Sequence, residues 1–125
     1  MRYSLLLNAP EPVAGEIREE QLAEFRAAYA KYAQDLDDAG VLISADILKP
    51  SSAATIVTLR TGSLQIQDGP FADTEEKLAG TFVIEVPDLD AALAWAEKCP
   101  GVHYGVVEIR PSAIVFKDGA WRHQT

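Results

Sequence analysis

Residues 81–110, TFVIEVPDLDAALAWAEKCPGVHYGVVEIR, predict a strand, a helix and a second strand in direct succession. Alternation in residues 81–86 indicates a strand with three inward side chains: Phe82, Ile84 and Val86. Asp88 is a preferred helix N-cap, and Cys99-Pro100-Gly101 is typical of a helix end. The helix is expected to direct four side chains inward: Leu89, Ala92, Leu93 and Ala96. A last clear strand is predicted from His103 to Arg110, which completes a strand-helix-strand unit.

The N-terminal part of the chain repeats this order. An apolar run predicts a strand over residues 2–7, because Asn-Ala-Pro-Glu-Pro follows it as a loop signal. Between residues 17 and 38 apolar residues recur every three or four positions, as on the stripe of an amphipathic helix: Leu22, Phe25, Tyr29, Tyr32 and Leu36. Gly40 predicts a left-handed helix stop, and residues 41–48 predict the next strand.

The segment between the two units predicts a β-hairpin. Residues 55–60 and 64–67 are β-prone and are joined by Thr61-Gly62-Ser63. Leu64 and Ile66 alternate with Gln65 and Gln67, so one side of the hairpin is expected to meet water or a ligand.

Two shorter segments complete the secondary structure. Thr74 is expected to cap a helical turn that runs through Leu78 and ends at Gly80. Pro111 is expected to end the last clear strand. Residues 114–116 then predict either an edge strand or a segment that crosses to a neighbouring subunit.

This order of elements predicts a single α+β domain over residues 1–125. Two strand-helix-strand units suggest a ferredoxin-like sandwich, with an antiparallel sheet and both long helices on one face. Several strand residues are apolar on both sides, as in Leu5-Leu6-Leu7 and Ile56-Val57. We therefore expect the helix-free face to pack against a second subunit in a two-fold homodimer.

Composition limits the partners of this domain. The 125-residue chain carries a formal net charge of −8, which disfavours binding to nucleic acid and to anionic membranes. The first apolar run is too short for a signal peptide or a membrane span, so a cytoplasmic location is expected. Cys99 is the single cysteine, and the two histidines have no ligand at metal-binding spacing. With no P-loop, GxGxxG or nucleophile elbow either, we expect no metal and no cofactor.

The stretch DGPFADTEEKLAG at residues 68–80 closely resembles the DGPF signature of the YCII-related protein family. Further similar segments are MRYSLL at the start, DLDAALAWA at residues 88–96 and VEIRP at residues 107–111. These matches run through almost the whole chain in the family's order. The resemblance implies a dimeric α+β barrel, and the DGPF branch of the family is often encoded beside alternative sigma factors.

The resemblance does not supply a catalytic pair. Some YCII-like proteins have a histidine early in the first helix and an aspartate just before a proline at the end of the second, and these residues are proposed as an acid/base pair. By local similarity these positions are Gln21 and Cys99 in this chain. Glutamine has no titratable proton and cysteine is not an equivalent carboxylate, so that acid/base dyad cannot be carried over.

Asp68 is the candidate catalytic residue. Its carboxylate either accepts backbone N–H bonds within the Asp-Gly-Pro turn or acts as a general base or acceptor at a pocket rim. Three further residues are candidate ligand-binding residues: Tyr3, Phe71 and Arg110. Arg110 could anchor an anion or form a same-face salt bridge with Glu108, and Tyr3 could instead be a core residue. His103 and His123 are weaker acid/base candidates.

Two functions are consistent with these residues. One is a small-molecule-binding homodimer, with isomerase- or lyase-type proton transfer that needs no cofactor. In that version Asp68 is the acid or base, Arg110 anchors an anion, and Tyr3 and Phe71 shape the pocket. The alternative is a non-catalytic regulatory or protein-interaction module that works with an alternative sigma factor.

Overall fold

The computed structural model describes residues 1–12, 17–60, 62–72 and 74–124. The α-helices are α1 (Glu19–Asp38) and α2 (Leu89–Glu97). The strands are β1 (Arg2–Pro10), β2 (Leu42–Ile47), β3 (Thr55–Thr58), β4 (Gln65–Asp68), β5 (Glu76–Glu85), β6 (Val106–Pro111), β7 (Ile114–Lys117) and β8 (Ala120–His123). Thr61 of the predicted hairpin link and Asp73 of the DGPF-like stretch lie outside the described residues.

A four-stranded antiparallel sheet forms the centre of the fold, with the strand order β2-β5-β1-β6. The units β1-α1-β2 and β5-α2-β6 therefore interleave, and each contributes one central and one outer strand. This arrangement confirms the predicted ferredoxin-like α+β fold. The predicted hairpin is also present, as the separate two-stranded sheet β3-β4.

The core lies between one face of this sheet and the two helices. It contains alternate residues of the strands, together with residues of both helices: Tyr3, Leu5, Leu7, Tyr32, Leu36, Phe82, Ile84, Ala92, Ala96 and Cys99. The inward positions predicted for Phe82, Ile84 and Val86 are confirmed. So is the stop at Gly40, which has a φ of +74°.

The predicted inward face of α2 is wrong in part. Ala92 and Ala96 are buried, but Leu89 and Leu93 are 55% and 47% exposed. Because alanine side chains are short, the helix can lie close to the sheet along its alanine row, and this orientation leaves the two leucines outside the core. The α2 N-cap is as predicted, since the Ala91 N–H donates to Oδ1 of Asp88 at 2.9 Å.

The helical turn predicted from Thr74 to Leu78 is wrong. Residues from Glu76 onward belong to β5, where Leu78 pairs with Asn8 and Glu76 with Pro10. The register shifts between Leu7 and Asn8, and β1 continues beyond this irregularity to Pro10. Pairing with the extended β1 satisfies backbone groups in a way that local helix signals do not anticipate.

The C-terminal region differs from the prediction in two ways. A 3₁₀ turn from Pro100 to His103 precedes β6, so the last sheet strand starts at Val106 and ends at Pro111. The segment at residues 114–117 pairs with β8 of its own chain. Asp118 and Gly119 both have positive φ, as the tight turn of such a hairpin requires.

Candidate functional site

The DGPF turn, residues 68–71, begins at the end of β4. Gly69 has a φ of +100°, which a residue with a side chain rarely adopts, and its N–H donates to the Ala54 carbonyl at 2.7 Å. The Asp68 side chain is exposed, and no described residue forms a hydrogen bond or ion pair with its carboxylate. Glycine conformation and the bond to Ala54 therefore shape this turn, while the Asp68 carboxylate faces solvent.

An open cleft of about 690 Å³ lies beside the DGPF turn, and we call it the turn cleft. Its apolar lining includes Leu48, Pro50, Pro70, Phe71 and Leu78. Its polar lining includes Asn8, Lys49, Ser51, Thr74, Glu76 and Lys77. The cleft thus combines an aromatic wall with charges of both signs, and this combination suits a small organic ligand.

Two contacts hold the walls of the turn cleft. The Arg60 guanidinium lies 5.0 Å from the centre of the Phe71 ring, in a cation–π arrangement. The Ser51 N–H and Oγ–H donate to the two carboxylate oxygens of Glu11 at 2.6 and 2.8 Å. These bonds lower the pKa of the Glu11 carboxyl, the backbone bond being the main cause, and they tie the segment after β2 to the end of β1.

The structure does not bring the four predicted site residues together. Phe71 lines the turn cleft, whereas Asp68, Tyr3 and Arg110 do not. Asp68 lies at the start of the DGPF turn, outside the cleft lining. Tyr3 is buried in the core, on the sheet face that packs against the helices. Arg110 pairs with Ser4 across the strands, so it lies on the helix-free face, where its Nε is 3.8 Å from Glu108.

A second cleft of about 330 Å³ lies between α1 and the 3₁₀ turn after α2, and we call it the tyrosine cleft. Its lining residues are Gln21, Glu24, Phe25, Ala28, Pro100, His103 and Tyr104. The Tyr104 hydroxyl is hydrogen-bonded to the hydroxyl of Tyr29 on α1. The Phe25 and Tyr104 rings meet edge to face, with their centres 5.0 Å apart.

Gln21 and Cys99, the two positions of the absent dyad, have structural roles in this protein. Gln21 lines the tyrosine cleft, and its Oε1 accepts the Arg18 N–H at 3.1 Å at the start of α1. Cys99 is fully buried in the core, and this burial raises the pKa of its thiol. A buried, protonated thiol is a poor nucleophile and a poor base, so Cys99 acts here as a small core residue.

Three tyrosines are held in their protonated form. Burial raises the pKa of Tyr29, Tyr32 and Tyr104, and the hydrogen bond between the Tyr29 and Tyr104 hydroxyls raises that of Tyr29 further. The Tyr32 hydroxyl donates to the Trp95 carbonyl at 2.7 Å. These phenols therefore serve as hydrogen-bond donors over the whole physiological pH range.

We predict that alkali destabilises the protein through these tyrosines. Because folding raises the pKa of each tyrosine, the folded protein keeps the phenol proton at a pH where the unfolded chain, with a pKa of about 10, has lost it. The free energy of unfolding is therefore unaffected below about pH 10 and falls as the pH rises above it. Tyr32→Phe should make the loss shallower by up to about 1.4 kcal/mol per pH unit. Urea unfolding of both proteins from pH 8 to 11 measures this slope. The difference in unfolding free energy between the two proteins at pH 8 gives the cost of losing the hydrogen bond to Trp95. Equal dependence of the unfolding free energy on pH in the two proteins would contradict the prediction.

Sequence patterns did not reveal the tyrosine cleft. The apolar spacing places Tyr29 only on the inward side of the first helix, and Tyr104 lies 75 positions away from it. Glu24 and His103, which line the same cleft, come from different elements. A spacing rule cannot find such a group, because only the packing of α1 against the segment after α2 brings its members together.

The described residues contain no cluster of three or more histidine, cysteine, aspartate or glutamate side chains that could hold a metal ion. None of their helices has the length and apolar character needed to span a membrane.

The chain is similar to a family of proteins and to a bacterial protein of nearly the same length. The YCII-related domain model matches residues 1–113. An uncharacterised protein of Rhizobium meliloti strain 1021 is 31% identical over an alignment of 125 positions, which covers 95% of this chain and 97% of that protein. The similarity therefore covers both the turn cleft and the tyrosine cleft.

Proposed function

The chain belongs to the YCII-related family, and from this premise we propose that it is a cytoplasmic homodimer that binds a small organic molecule in the turn cleft. The turn cleft itself is the observation that carries the proposal. Its volume of about 690 Å³ falls within the range of about 300–1,000 Å³ that is usual for small-molecule sites. Phe71 supplies an aromatic wall, and this residue is 71% exposed in the single chain, so a ligand could cover it.

The charges of the cleft favour a ligand with an acidic or strongly polar group. Lys49 and Lys77 line the cleft, and the Arg60 guanidinium stacks on Phe71 at its edge. Among the described residues, Glu76 is the acidic member of the lining, and the Glu11 carboxylate, held by Ser51, lies in the same wall. Three described cations thus face two described carboxylates, and in a protein with a net charge of −8 this local excess of positive charge attracts an anion.

The enzymatic form of the proposal is cofactor-free proton transfer of the isomerase or lyase type. The Asp68 carboxylate would serve as acid or base, because it is exposed at the start of the DGPF turn and is not engaged with any other described side chain. Arg110 lies on the helix-free face, so its proposed role as an anion anchor belongs to a site at the subunit interface. The burial of Tyr3 in the core argues against its direct contact with a ligand in the turn cleft.

The homodimer is supported by two uncovered surfaces. The described helices pack on one face of the main sheet and leave the face with Ser4, Leu6 and Val83 open. On the β3-β4 hairpin, four apolar side chains are each more than 60% exposed: Val57, Leu59, Leu64 and Ile66. We call these four residues the hairpin patch. Apolar groups of this kind mark protein interfaces, and a second copy is the partner that closed symmetry favours.

A thermal-shift screen with small metabolites tests binding in the turn cleft, because a ligand that prefers the native state raises the Tm. We expect at least one acidic metabolite to raise it. Phe71→Ala should lower the affinity for that ligand by about tenfold through loss of apolar contact. Phe116→Ala is the matched control, since Phe116 is 58% exposed and does not line the cleft.

Asp68→Asn separates binding from catalysis with the same ligand. The variant should keep the fold and the Tm shift and lose turnover, because asparagine cannot carry the proton. Unchanged turnover would reject Asp68 as the proton carrier. A screen without any Tm shift, or equal affinities for Phe71→Ala and the native protein, would reject the turn cleft as the binding site.

The alternative function is a non-catalytic regulatory module that works with an alternative sigma factor. The hairpin patch favours it as well, because an exposed apolar surface can receive another protein as readily as a second copy. The oligomeric state of the protein in solution separates these two uses of the patch.

A further inference from the structure

The tyrosine cleft has features of a ligand site that the turn cleft does not share. The Tyr104 side chain lines it and is 40% exposed, whereas Tyr29 lies behind it and does not line the cleft. When two hydroxyls share one hydrogen bond, one hydrogen lies between the oxygens and the other stays available. If Tyr29 donates to Tyr104, the Tyr104 hydrogen can point into the cleft.

The surrounding residues hold this hydroxyl pair in place. The Phe25 ring meets the Tyr104 ring edge to face, and the Tyr29 ring stacks over Phe82 in the core with 6.2 Å between centres. Gly101 has no side chain, and a Cβ at that position would lie 3.2 Å from the Tyr29 hydroxyl oxygen. The donor is therefore positioned before any ligand arrives, which reduces the entropy cost of binding.

The size and lining of the cleft indicate the class of ligand. An apolar cavity of about 150 Å³ holds benzene, so about 330 Å³ accommodates a single ring with small substituents. Phe25, Ala28 and Pro100 provide the apolar contacts for such a ring. Glu24 lies in the same lining and disfavours an anionic ligand, so a neutral compound with an acceptor oxygen fits best.

We propose that the tyrosine cleft is a second ligand site, which binds a neutral single-ring compound through a hydrogen bond from the Tyr104 hydroxyl to a carbonyl oxygen. Tyr29 acts as a positioning residue, because its hydroxyl orients and polarises that of Tyr104 without lining the cleft. Since the tyrosine cleft and the turn cleft have different lining residues, this proposal is independent of binding in the turn cleft.

Amide chemical-shift titration by NMR tests the site with cyclohexanone as the probe. Methylenecyclohexane is the matched probe, because it keeps the ring and replaces the carbonyl oxygen by a CH₂ group. We expect cyclohexanone to shift amides within residues 21–28 and 101–105 and to bind at least about fivefold more tightly than methylenecyclohexane. Equal binding of the two probes, or shifts confined to residues 48–54 and 70–78, would overturn the proposal.

Three variants assign the hydrogen bond. Tyr104→Phe should lower the affinity for cyclohexanone by at least about fivefold and leave the affinity for methylenecyclohexane unchanged. Tyr29→Phe should lower the affinity for cyclohexanone by about twofold. Phe116→Ala, at a residue that lines neither cleft, should leave the affinity for both probes unchanged. Unperturbed spectra away from the cleft verify that each variant is folded. Native affinity of folded Tyr104→Phe for cyclohexanone would overturn the proposal.

Discussion

Replacing Phe82 by alanine is expected to lower the free energy of unfolding by about 3–5 kcal/mol. Phe82 is 1% exposed at the centre of β5, and it contacts tyrosines on α1. Its ring meets the Tyr32 ring edge to face at 5.1 Å. The substitution removes this contact and leaves a cavity between sheet and helix, so it combines lost burial with lost packing. Urea unfolding at neutral pH measures the change.

Phe71→Ala is the matched control for this prediction. The same side chain is deleted, but Phe71 is 71% exposed and its ring is in a cation–π contact with Arg60. We expect a loss of less than about 1 kcal/mol, the size usual for an exposed cation–π contact. Similar losses for both variants would show that Phe82 does not anchor the core as its burial indicates.

Replacing Val57 and Ile66 together by lysine is expected to convert the proposed homodimer into monomers. The two residues are cross-strand partners on the β3-β4 hairpin and are 66% and 65% exposed in the single chain. If the partner subunit covers them, the variant buries two unpaired charges and should weaken association by roughly a hundredfold or more. Sedimentation over a range of protein concentrations measures this change.

Gln67→Lys is the control for the charge itself. Gln67 is exposed on the same strand, next to Ile66, but its side chain points to the opposite face of the hairpin. This variant should remain dimeric. A native protein that is monomeric at all concentrations would contradict the homodimer and leave the hairpin patch available to a different protein, as the regulatory alternative requires.

Ligand binding in the turn cleft and in the tyrosine cleft is expected to depend on different side chains. Binding in the turn cleft depends on Phe71 and on positive charge, whereas binding in the tyrosine cleft depends on one phenol hydroxyl. A ligand of either cleft can therefore be assigned with single conservative substitutions. Asp68→Asn then tests catalysis at the DGPF turn without removing any lining residue of either cleft.

Much of the fold could be predicted because its signals are local. The alternation of Phe82, Ile84 and Val86 gave the inward face of β5, and Asp88 was recognised as the cap of α2. The prediction failed where distant pairing competes with local preference. Residues 76–80 contain local signals for a helical turn, yet they pair with residues 7–10 as the start of β5.

The candidate site was predictable only as a turn and as a set of residue types. The DGPF turn could be located from its sequence, and Phe71 does line a cleft. Tyr3 and Arg110 were grouped with it by chemistry, but strand parity places them on opposite faces of the sheet. Two residues can share a plausible chemistry and still be separated by the sheet.

The sequence by itself determined the two strand-helix-strand units with the hairpin between them, the ferredoxin-like class and the position of the DGPF turn. Each of these depends on contacts between residues a few positions apart, and such contacts leave a period or a spacing in the chain. Only the tertiary structure decided which side chains meet. Tyr29 and Tyr104 are hydrogen-bonded because α1 packs beside the segment that follows α2, and the DGPF turn borders a cleft because β5 extends along β1. Contacts of this kind are selected by the packing of whole elements, so no local pattern records them.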